Sequence, residues 1–118
     1  MEWIVDIHPR FAEEFWALSE EVQDSLMTEV LLLEEIGPAL SRPHVDTLNN
    51  SKYANMKEIR FKADGGVWRT AFAFDPDRKA IILVAGNKSG VSEKRFYKQL
   101  IKTADERFAD HLKTLKGE

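Results

Sequence analysis

The sequence contains no cysteine, and this absence excludes several kinds of chemistry at once. A chain without thiols forms no disulfides, offers no thiolate to a metal ion and has no cysteine nucleophile. Its histidines, His8, His44 and His111, do not have the spacing of zinc ligands. We therefore expect neither a metal nor any other cofactor, and the lack of cysteine fits a reducing cytoplasm.

Long hydrophobic runs are also missing. The longest uninterrupted apolar stretch extends only from Ala80 to Gly86, whereas a membrane-spanning helix needs roughly 20 such residues. The first residues, 1–6, lack the basic and then apolar order of a signal peptide. We expect a cytoplasmic protein without membrane contact, folded as a single domain over residues 1–118.

Positive charge is scarce in total but concentrated in one part of the chain. The net charge is −3, yet residues 1–51 carry −9, residues 52–102 carry +7 and residues 103–118 carry −1. Binding of a polyanion depends on the local field and on counterions released from the contacted phosphates. The basic middle therefore favours a polyanion-binding surface. The alternative is that it merely holds solvated strand ends and a lysine-bearing helix.

Hydrophobic periodicity and turn residues predict the order β-α-α-β-β-β-α. The predicted elements are a strand at 2–7, a helix from Pro9, a helix from Ser19 to Gly37-Pro38, strands at 56–63, 67–74 and 80–88, and a last helix from Ser92. Residues 37–55 have the composition of a long loop. This order predicts an α+β fold: an antiparallel meander sheet with an N-terminal helical hairpin and a C-terminal helix.

Strand alternation places charged residues on defined faces of this meander. Glu58, Arg60 and Lys62 share one face of the first meander strand, Arg69 lies on the next strand, and Lys88 ends the third. If the strands are adjacent, Arg60, Arg69 and Lys88 converge beside Glu58. Such a group suits cleavage of a phosphodiester without metal, because a carboxylate or lysine can take the 2′-hydroxyl proton while guanidinium groups bind the phosphate. The start of the last helix adds candidate RNA contacts at Lys94, Arg95, Tyr97 and Lys98.

Each of these residues also has a purely structural interpretation. Glu58 and Arg60 can form only a salt bridge, and Arg69 can stack on the edge of the core. Helix lysines usually form a solvated face, and Tyr97 can belong to the core. It is the combination, and not any single residue, that indicates a site.

Several stretches resemble the phage-derived, HigB-like branch of the RelE/ParE toxin superfamily. They are Asn55-Met56-Lys57-Glu58-Ile59-Arg60, Val67-Trp68-Arg69-Thr70-Ala71-Phe72, Gly86-Asn87-Lys88 and Ala104-Asp105-Glu106-Arg107. The resemblance covers nearly the whole chain and implies a RelE-like fold. It also implies the toxin of a type II toxin–antitoxin system, a ribosome-dependent mRNA endonuclease that cuts the codon in the A site without a metal. The implied partners are the ribosome, mRNA and an antitoxin from a neighbouring gene, often a helix-turn-helix protein.

The resemblance also assigns roles to residues. The Glu-hydrophobic-Arg motif falls on Glu58 and Arg60, the strand arginine on Arg69 and the basic residue that ends the last strand on Lys88. Further basic residues of the site fall on Lys57 and Lys94, and strand alternation adds Lys62 as a candidate RNA contact. Many relatives are strongly basic, and several have a histidine or a second lysine next to the position of Lys88, where this chain has Ser89. The general acid is therefore unassigned, and Glu58 and Lys57 are alternatives for the base.

Two other functions are compatible with the same sequence. One is a ParE-like inhibitor of DNA gyrase that acts by protein–protein contact, and the other is a non-catalytic member that only binds an antitoxin. The basic residues on the strands favour the nuclease. On this interpretation, Arg69→Ala is expected to abolish toxicity and leave the fold intact.

Overall fold

The computed structural model describes residues 2–117. The elements are β1 (Val5–Ile7), α1 (Pro9–Phe15), α2 (Glu20–Ile36), a 3-10 turn (Gly37–Ala39), β2 (Val45–Thr47), β3 (Lys57–Ala63), β4 (Gly66–Phe74), β5 (Ala80–Asn87) and α3 (Glu93–Leu115). No helix within residues 2–117 combines the length and apolar character needed to cross a membrane.

The helices begin and end where the sequence predicts. The Ser19 and Ser92 hydroxyl oxygens accept hydrogen bonds from the backbone N–H groups of Val22 and Arg95, which caps α2 and α3. Helix α2 ends at Gly37, which has a φ of 70°. A Cβ atom at this position would clash with the Trp3 indole ring, so the close approach of Trp3 also requires glycine.

The strands form one mixed five-stranded sheet in the order β1-β5-β4-β3-β2. The predicted antiparallel meander β3-β4-β5 and the α+β class are confirmed, and β1 adds to the meander parallel to β5. Strand β2 lies within the segment that the sequence predicts to be a loop. The sequence pattern did not reveal this strand, because three residues are too few to show alternation. Strand β1 is shorter than predicted, since the Trp3 N–H donates to the Glu34 carbonyl of α2 at 2.6 Å instead of to a strand.

The sheet separates two hydrophobic layers. On one face, α1 and α2 pack through Phe11, Leu26 and Leu33 against residues of the meander that include Ile59 and Phe72. On the other face, α3 packs on the sheet through the buried residues Phe96, Leu100, Ala104 and Phe108. The predicted helical hairpin and C-terminal helix thus lie on opposite faces, which leaves the acidic hairpin remote from the start of α3.

A β-bulge in β5 decides which way the end of this strand faces. Ala71 pairs with Val84 and Phe72 pairs with Ile82, so Leu83 is an extra residue on β5. Leu83 and Val84 consequently both pack on the α3 side. Beyond the bulge Gly86 also faces α3, where a Cβ atom would lie 3.2 Å from the Phe96 ring. Without the bulge, strict alternation would put the last residues of β5 on opposite faces from those they occupy.

Asp75 holds the C-terminal half of α3 against the turn between β4 and β5. Its Oδ1 atom accepts hydrogen bonds from the N–H groups of Asp77 and Lys79, both at 2.9 Å, and Oδ2 lies 2.8 Å from His111 Nε2. Burial by itself raises the pKa of the Asp75 carboxyl, but the hydrogen bonds from His111 and the turn outweigh it, so the pKa is lowered.

We expect Asp75→Asn to lower the free energy of unfolding at neutral pH by about 1–2 kcal/mol, because an amide replaces a charge-assisted acceptor. The lowered pKa of Asp75 means that its contribution is present above the pKa of the unfolded state and is lost as the pH falls through the folded-state pKa. Denaturant unfolding of both proteins at a series of pH values should therefore show a difference that shrinks on acidification. A difference that grows at low pH would contradict this role.

Candidate active site

A polar cleft of about 280 Å³ opens on the α3 side of the sheet, between β3, the segment after β2 and the start of α3. We use the term cleft for the space lined by Asp46, Thr47, Leu48, Asn49, Asn50, Glu58, Arg60, Glu93, Tyr97 and Ile101. Glu58 and Arg60 reach it because alternation along β3 turns Ile59 and Phe61 to the opposite core.

A buried carboxylate organises the floor of the cleft. Glu58 is only 2% exposed, and its Oε1 atom accepts hydrogen bonds from Arg60 Nε at 2.6 Å and from the Tyr97 hydroxyl at 2.9 Å. The pair with Arg60 lies within one strand, whereas the bond to Tyr97 connects the sheet to α3. The Arg60 side chain is 46% exposed, so this cation is accessible from the solvent.

The contacts with Glu58 also raise the pKa values of its two partners, Arg60 and Tyr97. The hydrogen bond from Arg60 to Glu58 raises the pKa of the guanidinium, which stays cationic. Burial, followed by the charge of Glu58 and the hydrogen bond to it, raises the pKa of the Tyr97 hydroxyl. Tyr97 is therefore a neutral hydrogen-bond donor near pH 7 and not a base.

Arg69 lies behind the cleft. It pairs with Arg60 across β3 and β4, yet it is only 6% exposed and does not line the cleft. Its guanidinium carbon is 5.7 Å from the ring centre of Phe96 and 5.6 Å from that of Tyr97, within the range of cation–π contact. Its Nε atom is buried and has no hydrogen-bond partner in the described part of the chain. Arg69 therefore supports Tyr97 from below and places a positive charge under it.

Lys88 stands at the rim of the cleft. It follows the last residue of β5, and its Nζ atom lies 3.5 Å from Glu93 Oε1, a residue that lines the cleft. Both side chains are exposed, so this ion pair is weak. The structure thus brings Glu58, Arg60 and Tyr97 together in the cleft and leaves Arg69 below it and Lys88 beside it.

A row of lysines borders a second depression that adjoins the cleft. Lys94, Lys98 and Lys102, which we name the lysine stripe, recur every fourth residue on α3 and therefore share one face of the helix. Asn50, Tyr97 and Ile101 line both the cleft and this second depression. Lys102 was missed from the sequence although its helical spacing was visible, whereas nothing in the sequence indicated Asn50.

Three of the predicted contact residues lie elsewhere. Lys57 is on the face of β3 opposite Glu58 and lines a depression with Pro38 and Arg42. Lys62 shares the face of Glu58 but lines a depression by the β3–β4 turn, together with Glu21 and Gly65. Arg95 lines an apolar groove between β5 and α3 with Val84, Val91 and other residues.

Known proteins are similar to this chain in sequence and in fold. Residues 13–109 match the family described as "Phage derived protein Gp49-like (DUF891)". Two proteins of Mycobacterium tuberculosis that are named as toxins, HigB2 and HigB3, are 43% and 41% identical over 111 and 109 residues. These alignments cover 93% and 92% of this chain, but only 54% of HigB2 against 93% of HigB3.

A solved structure shows the same fold at low sequence identity. The free state of the Escherichia coli toxin RelE, with two arginines changed to alanine, superposes with a TM-score of 0.61 at 14% identity. The superposition covers 86% of this chain and 95% of RelE. The meander, its flanking helices and the match to RelE define a protein of the RelE fold. The chain belongs to the Gp49-like family, and its relatives HigB2 and HigB3 confirm the HigB-like resemblance read from the sequence.

Proposed function

We propose that this chain is the toxin of a toxin–antitoxin pair and that it cuts mRNA on the ribosome without a metal. The observation that carries this proposal is the buried Glu58 carboxylate, which binds Arg60 and Tyr97 on the floor of an open cleft. A carboxylate held next to an accessible guanidinium is a base next to a phosphate-binding group, and cleavage of RNA at its 2′-hydroxyl needs both.

The proposed reaction is an attack by the ribose on the adjacent phosphate. The 2′-oxygen gives its proton to Glu58 and forms a bond to phosphorus, and the bond from phosphorus to the 5′-oxygen breaks. The 5′-oxygen takes a proton, so the products are a 2′,3′-cyclic phosphate and a 5′-hydroxyl. Glu58 is the base in preference to Lys57, which lies on the opposite face of β3. Two groups are placed to supply the second proton, namely the Tyr97 hydroxyl in the cleft and the Lys88 side chain at its rim.

Stabilisation of the transition state falls to Arg60. The phosphorane builds negative charge where a fixed guanidinium can bind two of its oxygens, and such a donor contributes on the order of 3 kcal/mol in comparable enzymes. Glu58 orients this guanidinium through its Nε atom, which places the charge before the substrate arrives. Arg69 adds a second positive charge beneath the Tyr97 ring.

The charge distribution supports an RNA substrate that is held in position by the ribosome and not attracted from solution by the chain itself. The net charge of −3 weakens long-range attraction to free RNA, and the acidic residues cluster within 1–51. The cations near the cleft, chiefly Arg60 and the lysine stripe, act only on a strand that is already close. A ribosome that presents single-stranded mRNA would supply this proximity.

The test is to induce the chain in growing cells and to map the 5′ ends of mRNA. We expect new ends phased with codons on translated messages, and no such ends with Glu58→Gln. The purified chain should cut naked RNA at least about a hundredfold more slowly than translated RNA, because proximity contributes strongly to such reactions. Altered plasmid supercoiling with intact mRNA would instead support gyrase inhibition, and efficient cutting of free RNA would contradict dependence on the ribosome.

The proposed protein partner is the product of a neighbouring gene, acting as the antitoxin. We expect the two products to co-purify when they are expressed together, and we expect growth arrest by the toxin to be relieved. Arrest that persists with the adjacent gene present would contradict this assignment.

A further inference from the structure

The loop between β2 and β3 forms one wall of the cleft and is closed at its base. The Leu48 N–H donates to the Met56 carbonyl at 3.0 Å, so residues 48–56 form a compact excursion. Asn50 lies in this loop in the left-handed backbone region, with a φ of 74°. Asn50 is also exposed and borders both the cleft and the depression of the lysine stripe.

Asp105 ties this loop to α3. Its Oδ1 atom accepts a hydrogen bond from the Ser51 hydroxyl at 2.5 Å, and its Oδ2 atom accepts one from the Lys52 N–H at 3.2 Å. Tyr53 packs edge-on against Phe108 with ring centres 4.9 Å apart. Because Tyr97 lies on the same helix, about 12 Å along its axis from Asp105, one rigid element positions both the loop and the Tyr97 ring.

The groups that face each other here match a nucleobase. Tyr97 offers an aromatic ring and Ile101 an aliphatic side chain, on which the flat face of any base can stack. The Asn50 amide offers both a hydrogen-bond donor and an acceptor, which can pair with the edge of a base. The lysine stripe borders the same depression and can bind the neighbouring phosphates.

We propose that Asn50 reads the edge of an RNA base held against Tyr97, next to the cut, and that Asp105 is the positioning residue that keeps Asn50 there. The inference rests on the proposed function and adds to it the group that sets nucleotide preference. It also gives a role to Asp105 of the Ala104-Asp105-Glu106-Arg107 stretch, which the cutting reaction does not use.

The backbone conformation at Asn50 allows substitutions that change its amide and keep the loop in place. A φ of 74° is adopted readily by glycine and also by asparagine and aspartate. Asn50→Gly therefore keeps the loop conformation and removes the amide, whereas Asn50→Asp keeps the shape and leaves only acceptors. The matched control is Asn55→Ala, since the Asn55 amide donates to the Phe74 carbonyl, away from the cleft, at 2.7 Å.

The experiment compares the nucleotides around mapped mRNA cuts for the wild type and these variants. We expect Asn50→Gly and Asn50→Asp to cut within about tenfold of the wild-type rate but to change the preference at one position by on the order of tenfold. Asn55→Ala should keep the wild-type preference. Asp105→Ala should broaden the preference, and Asp105→Asn, which keeps an oxygen acceptor, should restore much of it.

The outcomes separate this inference from the proposed function. Cutting by Asn50→Gly with an unchanged preference would overturn the inference alone, and so would complete loss of cutting in a variant that melts like the wild type. Intact mRNA with the wild-type chain would overturn the proposed function and this inference with it.

Discussion

Arg60→Gln is expected to slow mRNA cutting by roughly 10²–10³-fold, the loss typical of removing one fixed donor to a developing oxyanion. Arg60 is the cation that lines the cleft, and its bond to Glu58 holds it in place before substrate binds. The Glu58 side chain is only 3% exposed, so removing its cation should also lower the free energy of unfolding, by roughly 1–3 kcal/mol. The rate is measured from mapped ends after brief induction, with thermal melting of the same purified variants.

The matched control is Lys62→Gln. Lys62 lies on the same strand and the same face and loses the same charge, but it is located by the β3–β4 turn instead of the cleft. We expect this variant to cut like the wild type to within a few fold. Arg60→Lys should fall in between, because an ammonium keeps the charge but cannot bind two phosphate oxygens side by side. Equal losses in Arg60→Gln and Lys62→Gln would mean that general positive charge, and not a positioned guanidinium, is responsible.

Arg69→Met is expected to reduce cutting about a hundredfold while the protein stays folded. Methionine fills much of the same space, so the variant removes the charge beneath Tyr97 without opening a large cavity. Loss of that charge removes one of the effects that lower the pKa of Tyr97 and also removes the cation that packs against its ring. The measurements are the cutting rate and the denaturant midpoint, both compared with the wild type.

Arg69→Ala is the less informative change. The residue is 6% exposed and packs on Phe96 and Tyr97, so truncation should lower the free energy of unfolding by about 2–3 kcal/mol. From the sequence we expected Arg69→Ala to leave the fold intact. Strand alternation shows which face of the sheet a residue is on, but it does not show how deeply the side chain is buried. Arg69→Met at full activity would show that Arg69 serves only the core.

The elements that could be predicted from the sequence are those with strong local signals. Ser19 and Ser92 cap their helices, Gly37 ends α2, and paired turns separate the meander strands, so each boundary has its own local cause. Strand β2 could not be found in this way, because it is three residues long and exists through its pairing with β3. Such a strand is a product of tertiary contact.

The sequence predicted which residues belong to the candidate site better than it predicted how they are arranged in space. Alternation grouped Glu58 with Arg60, and both residues line the cleft. The sequence prediction kept Lys57 as an alternative base, but in the structure Lys57 lines a different depression on the other face of β3. The role of Tyr97 depends on how α3 lies across the sheet, because its hydroxyl donates to Glu58 on β3. The position of the loop that holds Asn50 depends on the hydrogen bond from Ser51 to Asp105 of α3, which is 54 residues further along the chain. Neither relation has a signal in local sequence.

The extra residue in β5 has a consequence for how the segment can vary. Since Leu83 has no partner opposite it, the strand changes parity there, and only this change turns Gly86 to the α3 side. Deleting Leu83, or inserting one residue beside it, would restore simple alternation and turn the end of β5 over while leaving its composition almost unchanged. Family members should therefore tolerate length changes in the turn at residues 75–79 far better than a single-residue change between the bulge and Lys88.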